Sequence, residues 1–390
     1  MAFDMLITGG RVFDPERKAF GKADIAVARG RVARIAPDLT DEKAARIIDA
    51  NGLIVTPGLI DFHVHSFRLV HRIGIDPDVV AARAGTTTMV DGGSAGALNF
   101  DAFRSFVLER SRLNLFAFLN ISILGQCFEA QIPGVPVIHE YDDLRLVHVA
   151  QTIKCIEENR DYLVGVKVRA YHGLTNLTPI YAALEAAAGT GTPLMIHTSP
   201  PPPSIAQYMQ LLRPGDIVTH LYHPDPGSLV CRNGKIRTEY RAARERGVIF
   251  ETGFARWHTD FEIMKRAVGE GFWPDIISTD LTTTNIEEMV YDVLFTASKL
   301  IALGMPLEDA LCAMTIAPAR AMGRLELAEI KEGGPADISV LEWKEEDITF
   351  NDFYGHTMPG KGRLVCRTLV NKGEVFAGPD PVKSASLSAR

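Results

Sequence analysis

Between residues 58 and 325, short apolar runs alternate with amphipathic stretches, and that alternation leaves the chain few architectures. The runs fall at 59–64, 86–91, 115–121, 163–168, 193–197, 216–220, 248–252 and 275–280. Between most of them, apolar residues recur at helical spacing, as at 101–112, 142–158, 179–188 and 240–246. Strands that alternate with helices build a parallel sheet, and eight such units have the size of a (β/α)8 TIM barrel. Further helices are expected at 286–303 and 306–313. The Gly- and Pro-rich segment 122–141 reads as a long loop over the barrel mouth.

Both ends of the chain change character. Residues 4–57 alternate apolar and polar positions around Gly9-Gly10 and Asn51-Gly52, the pattern of short antiparallel strands and tight turns. Residues 336–341 and 364–370 are again strand-like, followed by the turn Asn371-Lys372-Gly373. The expectation is an α/β chain in which 1–57 and 326–379 form one small β-sandwich domain. Residues 58–325 then form the barrel, and the tail 380–390, rich in Ser, Ala, Lys and Arg, is disordered.

Active-site residues of such barrels sit at the C-terminal ends of strands. The first run ends in Phe62-His63-Val64-His65, and residues two apart on a strand share a face, so His63 and His65 can aim two imidazoles at one point. Lys167 closes the fourth run, His197 the fifth, His220 the sixth and Asp280 the eighth. Singly, each has an ordinary explanation: a hydrogen-bonded core histidine, an ion-pairing lysine, or a helix N-cap. Together at one end of one barrel they point to a metal centre. A lysine cation beside a metal would be repelled, so Lys167 is expected to react as a neutral amine with CO2, giving an anionic carbamate that bridges two ions.

Composition narrows the partners. The net charge of −7 argues against nucleic acid or an anionic membrane as the main partner. Five scattered cysteines without a CxxC fit a reducing compartment. The N-terminus lacks the basic and apolar regions of a signal peptide, and no run of about 18 apolar residues occurs. A cytoplasmic protein is expected.

With these residues in hand, the chain resembles the amidohydrolase superfamily, and specifically its binuclear members with a carboxylated lysine. The resemblance rests on Pro57-Gly58-Leu59-Ile60-Asp61-Phe62-His63-Val64-His65, Ala84-Gly85-Thr86-Thr87-Thr88, Thr315-Ile316-Ala317-Pro318-Ala319-Arg320 and Gly334-Pro335-Ala336-Asp337-Ile338. It implies a distorted barrel with a β-sandwich from both termini, and homo-oligomers. It also implies two divalent ions, with His63, His65 and Asp280 on one, His197 and His220 on the other, and carboxylated Lys167 between them; the donor set suits Zn²⁺, and Mn²⁺, Co²⁺ or Fe²⁺ can also fit. A bridging hydroxide would attack the substrate carbonyl, and Asp280 would relay its proton to the leaving group.

Gly165-Val166-Lys167-Val168-Arg169, Thr219-His220-Leu221-Tyr222-His223 and Thr252-Gly253-Phe254 look most like a dihydroorotase-like deacetylase group, whose members cleave N- or O-acyl groups from small carboxylates. His223 stands where many relatives have Asn, and Phe254 where many have His. Cyclic-amide hydrolysis of the dihydroorotase or hydantoinase kind is the alternative. Against it, Phe67 stands where dihydroorotases typically place an Arg, and Arg68 comes one residue late. A catalytically silent scaffold is a third reading. For the substrate carboxylate the candidate anchors are Arg68, Arg72, Arg169 and Arg256, with Arg169 preferred because it shares a face with Lys167. Tyr171, His172 and His223 are candidates to orient the carbonyl or leaving group. The run 92–96, Gly-Gly-Ser-Ala-Gly, reads as a tight turn rather than an anion-binding loop.

Overall fold

The computed structural model describes residues 2–126, 139–170, 174, 176–198 and 204–376. Seven parallel strands follow one another around a curled sheet in chain order: Leu59–Val64, Thr86–Asp91, Asn114–Asn120, Leu163–Ala170, Leu194–Thr198, Ile217–Thr219 and Ile249–Phe250. The expected eighth strand is present only as single bridges, Glu251 to Ile276 on one side and Val64 to Leu281 on the other. Side chains replace its ladder. Thr252 Oγ1 donates to Ser278 O (2.7 Å) and accepts from Ser278 N (2.8 Å), while Ser278 Oγ accepts from Gly253 N (3.0 Å). These bonds satisfy backbone groups that a regular strand would pair, and they close the ring into a distorted TIM barrel.

Ile60, Phe62, Val90, Phe118, Met195, Ile217 and Ile276 pack into one buried cluster. Several of them lie two to four residues before the polar strand ends, so the polar residues form the next layer toward the mouth. A bulge between Asp61 and Val64 interrupts the first strand's pairing just where the histidines begin.

The expected helices at 142–158 and 286–303 are shorter at their N-termini. The first starts at Val149, where His148 accepts from Gln151 N. The second starts at Val293, capped by Asp292 through Phe295 N. Met289 and Tyr291 before it hold φ of 61° and 60°, which a helix cannot continue through.

The β-sandwich draws on both termini. One sheet has the order Arg31–Ala36, Asp24–Ala28, Phe3–Thr8, Ala44–Asp49. The other runs Glu374–Val375, Thr357–Asn371, Ile338–Asn351, Ile54–Pro57, Arg11–Asp14, Ala19–Lys22. Met5, Ile7, Ile25, Val27, Val55, Ile338, Val340 and Val370 fill the space between them. The hairpin of Ile338–Asn351 and Thr357–Asn371 is longer than the sequence suggests, because the outer part of its second strand alternates charged Lys361 and Arg363 with buried Gly360, Gly362 and Leu364. Its turn, 352–356, reaches the barrel mouth: Tyr354 Oη donates to Trp257 O at 2.7 Å. The expected tail 380–390 lies outside the described residues. No helix among the described residues is long and apolar enough to cross a membrane.

Candidate metal centre

The six strand-end residues meet at the C-terminal mouth, all buried. Asp280 is the meeting point. Its Oδ1 lies 3.2 Å from His65 Nε2 and 3.6 Å from His63 Nε2, and its Oδ2 lies 3.9 Å from His220 Nε2. None of these approaches makes a hydrogen bond to Oδ1. Asp280 and His220 both hold left-handed backbone conformations, φ 50° and 64°. Such strain is characteristic of functional positions and costs of order 1–3 kcal/mol per residue.

The far side of each imidazole is fixed. His220 Nδ1 donates to Gly253 O at 2.7 Å. A carbonyl only accepts, so Nδ1 carries the proton and Nε2 offers a lone pair inward. His63 Nδ1 is 3.1 Å from Glu251 Oε1 and 3.2 Å from Thr219 Oγ1. His65 Nδ1 is 2.8 Å from Ser94 Oγ. Bonding one ring nitrogen outward while the other faces a common centre is how metal-binding histidines are oriented. Burial holds His197 and His220 well below the ordinary histidine range, hence neutral. Burial pushes the Asp280 carboxyl up, but His63, His65 and His258 around it outweigh burial and hold it below its ordinary range. His197 and His220 thus offer neutral imidazoles beside the ionised Asp280 carboxylate, donors of the kind that hold metal ions.

Lys167 lies within this group, with Nζ 3.4 Å from His63 Nε2 and 3.3 Å from Met195 Sδ. Burial lowers its amine to about 8, which makes the neutral form accessible. Two glycines make room here. A Cβ on Gly92 would lie 2.2 Å from the His63 ring, and one on Gly93 2.5 Å from Lys167 Cγ. The turn they belong to is tight, as expected. Its amides at Gly93 and Ser94 are taken by Asp91 Oδ1 at 3.0 and 2.7 Å, leaving them closed to an external anion.

The mouth is a cavity of about 450 Å³ lined by the six residues together with Arg72, Gln126, His139, Arg169, Arg256 and His258, among others. The size suits a small molecule. Arg169 is there, but both arms of its fork lie on buried Glu140, at 2.6 and 2.8 Å. Arg256 pairs with Glu288 at 3.1 Å. Arg72, at the rim, has no carboxylate partner among the described residues.

Two expected contacts are corrected. Arg68 is exposed, pairs with Asp76 at 3.3 Å, and lines a separate surface groove beside Phe106. The cause is the turn after His65, which buries Phe67 and sends Arg68 outward, so that Arg72 is the arginine that reaches the rim. His223 is buried away from the cavity, its ring nitrogens unbonded and its Nδ1 3.7 Å from Asp225 Oδ2. Phe254 likewise turns toward Lys299, whose Nζ sits 3.8 Å from the ring centre. Tyr171 and His172 lie outside the described residues.

Sequence reasoning missed Glu251 and His258. Glu251 is a charged residue at the polar end of the seventh run, the same signal that marked Asp280. His258 follows a strand end by several residues and has no periodic signal.

Residues 54–357 match the amidohydrolase family. A deacetylase of Agrobacterium fabrum is 31% identical over 352 residues, 89% of this chain and 85% of that protein. A dihydroorotase of Streptococcus pneumoniae is 43% identical, but over 89 residues, 22% of this chain and 21% of that protein. Among solved structures, a dihydroorotase superposes with TM-score 0.86 at 30% identity, covering 96% of this chain and 97% of that one.

Proposed function

Because the chain belongs to the amidohydrolase family, we propose that this hydrolytic enzyme removes an acyl group, acetyl in the simplest case, from a small N-acyl or O-acyl carboxylate. Water adds to the acyl carbon, the C–N or C–O bond breaks, and a carboxylic acid leaves with an amine or alcohol. The observation that carries this reading is the convergence of His63, His65 and His220 on the Asp280 carboxylate within 3.9 Å, at the mouth of a small cavity.

The donors fit a pair of divalent ions. Asp280 Oδ1 is a buried oxygen facing imidazole nitrogens without a hydrogen bond, and buried polar atoms are rarely left that way. His63, His65 and Asp280 would hold one ion and His197 and His220 the other, with Lys167 between. When bound, zinc-like ions would polarise the acyl carbonyl and acidify water.

The chain's own residues supply the rest. Lys167, buried and partly neutral, adds to CO2: an N–C bond forms, a proton leaves to solvent, and a carbamate anion replaces an amine. Asp280, held ionised, accepts the proton of the attacking water and passes it to the leaving nitrogen or oxygen. Arg72 at the rim offers its guanidinium to the substrate carboxylate. The deacetylase of similar length supports an acyclic substrate. The whole-length likeness to a dihydroorotase structure supports ring opening as the second reading. Free thiols at Cys155, Cys231, Cys312 and Cys366 suit the reducing cytoplasm.

The test compares kcat/KM on zinc-loaded enzyme with bicarbonate present. The substrates are N-acetyl amino acids of both hands, O-acetyl 2-hydroxy acids, and the rings dihydroorotate and dihydrouracil. Preference for an acyclic substrate, with KM raised in Arg72→Gln, supports the proposal. Preference for a ring overturns it.

A further inference from the structure

The loop after the seventh strand delivers an imidazole that no strand end supplies. Phe254 N and Ala255 N donate to Ser278 O and Thr279 O, at 3.3 and 2.8 Å. Thr259 Oγ1 closes the loop on Phe254 O at 2.7 Å, and Asp260 N donates to Tyr222 O at 3.1 Å. His258, inside this loop, comes to rest with its ring centre 4.1 Å from that of His220 and 4.9 Å from that of His197. One ring nitrogen from each of the three histidines lies within 4.8 Å of the others. His258 Nδ1 is itself buried and has no hydrogen-bond partner. A buried donor or acceptor left unmade costs about 1–3 kcal/mol, which an ion bound there would relieve.

We propose that His258 is a further protein ligand of the ion held by His197 and His220, so that three imidazoles would hold it. The inference rests on the metal-dependent reading above and departs from it in one respect. The ion at this site is held by three imidazoles whether or not Lys167 carries a carbamate. Lys167 Nζ sits instead against His63 and Met195.

The hairpin turn 352–356 holds the loop in place. Tyr354 Oη bonds Trp257 O next to His258, and Asp352 Oδ2 accepts from Phe261 N at 2.8 Å beyond it. Asp260, Asp352 and His356 also lie close enough to suggest a cation site. However, Asp260 Oδ1 accepts from Glu262 N and Ile263 N, and Asp352 Oδ1 accepts from Tyr354 N and His356 N. That trio is a brace, and Tyr354 and Asp352 are positioning residues for His258.

The test reads metal rather than turnover. Wild type, His258→Ala, Lys167→Met and Tyr354→Phe are loaded with Co²⁺, dialysed against a chelator, and compared for ions per chain, chelator off-rate and visible absorption, with Tm as the fold control. Lys167→Met should keep one ion per chain. His258→Ala should hold one ion about tenfold or more weaker and change the Co²⁺ spectrum. Tyr354→Phe should show the same spectral change to a lesser degree. Wild-type metal content and spectrum in His258→Ala, or loss of both ions in Lys167→Met, overturns the proposal. If His258→Ala does not fold, an unaltered Tyr354→Phe spectrum does so. Because no substrate is present, failure here is separate from failure of the acyl assignment, which would leave the metal results intact.

Discussion

Glu251→Gln tests whether the centre depends on the orientation of its histidines. Glu251 is fully buried at the end of the seventh strand, where Oε1 receives His63 Nδ1 at 3.1 Å and the Ser278 hydroxyl. Glutamine keeps the shape and one acceptor oxygen but removes the charge, and that oxygen must still serve two donors. A hydrogen bond to a charged group is worth about 1.5–3 kcal/mol and a neutral one about 0.5–1.5. The loss is therefore about 1–1.5 kcal/mol, near tenfold in affinity. Weaker anchoring of the ring extends the range to the roughly 10–100-fold typical of partners that orient metal-binding histidines. Competition between the protein and a chromophoric chelator for Zn²⁺ reads this directly, with Tm showing that the variant is folded. The ion on the His63 side should weaken and the other should not. A folded Glu251→Gln protein with unchanged affinity for both ions would refute the view that Glu251 sets the His63 ring, and with it the ligand role of His63 Nε2.

Three further outcomes are expected. Asp280→Asn should lower kcat by ~10² or more, the scale of a lost acid–base group, checked by steady-state rates normalised to metal content; near-normal turnover would remove Asp280 from proton transfer. Gly92→Ala should destabilise by about 1–3 kcal/mol, the range for overpacking a full core, and release metal, because its methyl would occupy the place of the His63 ring; denaturant unfolding and metal analysis read both. Lys299 is buried with its amine lowered to about 7 by burial, against 10.5 when unfolded. The folded state therefore resists its charging below about pH 7, and that penalty is relieved as pH rises from 7 toward 10.5. Relative to Lys299→Met, wild-type stability should gain about 2 kcal/mol between pH 7 and 9; a difference flat with pH would contradict it.

What could be read from the sequence follows from where period carries information. The first seven runs become strands at nearly the expected residues, because buried parallel strands are continuous apolar runs. A polar residue that ends such a run is conspicuous, so His63, His65, Lys167, His197, His220 and Asp280 were all visible as candidates. Side chains whose place depends on distant partners were not. Arg169 does face the cavity as its spacing from Lys167 implies, yet its fork is taken by Glu140, from a loop with no period. Arg68 and Arg72 differ by one turn of irregular chain, which decides which of them reaches the rim.

His258 is the sharpest case. Its position depends on Tyr354, almost a hundred residues away at the tip of a sandwich hairpin, bonding the carbonyl of Trp257. That contact gives the small β domain a role beyond stability. The barrel strands fix one set of donors rigidly, while the sandwich holds the loop that supplies another. Substitutions at the hairpin tip should therefore act on metal binding and substrate choice through His258 and Arg256, and leave the geometry of His63, His65 and Asp280 unchanged. A variant such as Asp352→Asn, which removes charge from the acceptor of Phe261 N and the partner of His356 at 3.0 Å, would separate the two sets. Its Co²⁺ spectrum should change while the ion on the His63 side keeps its affinity.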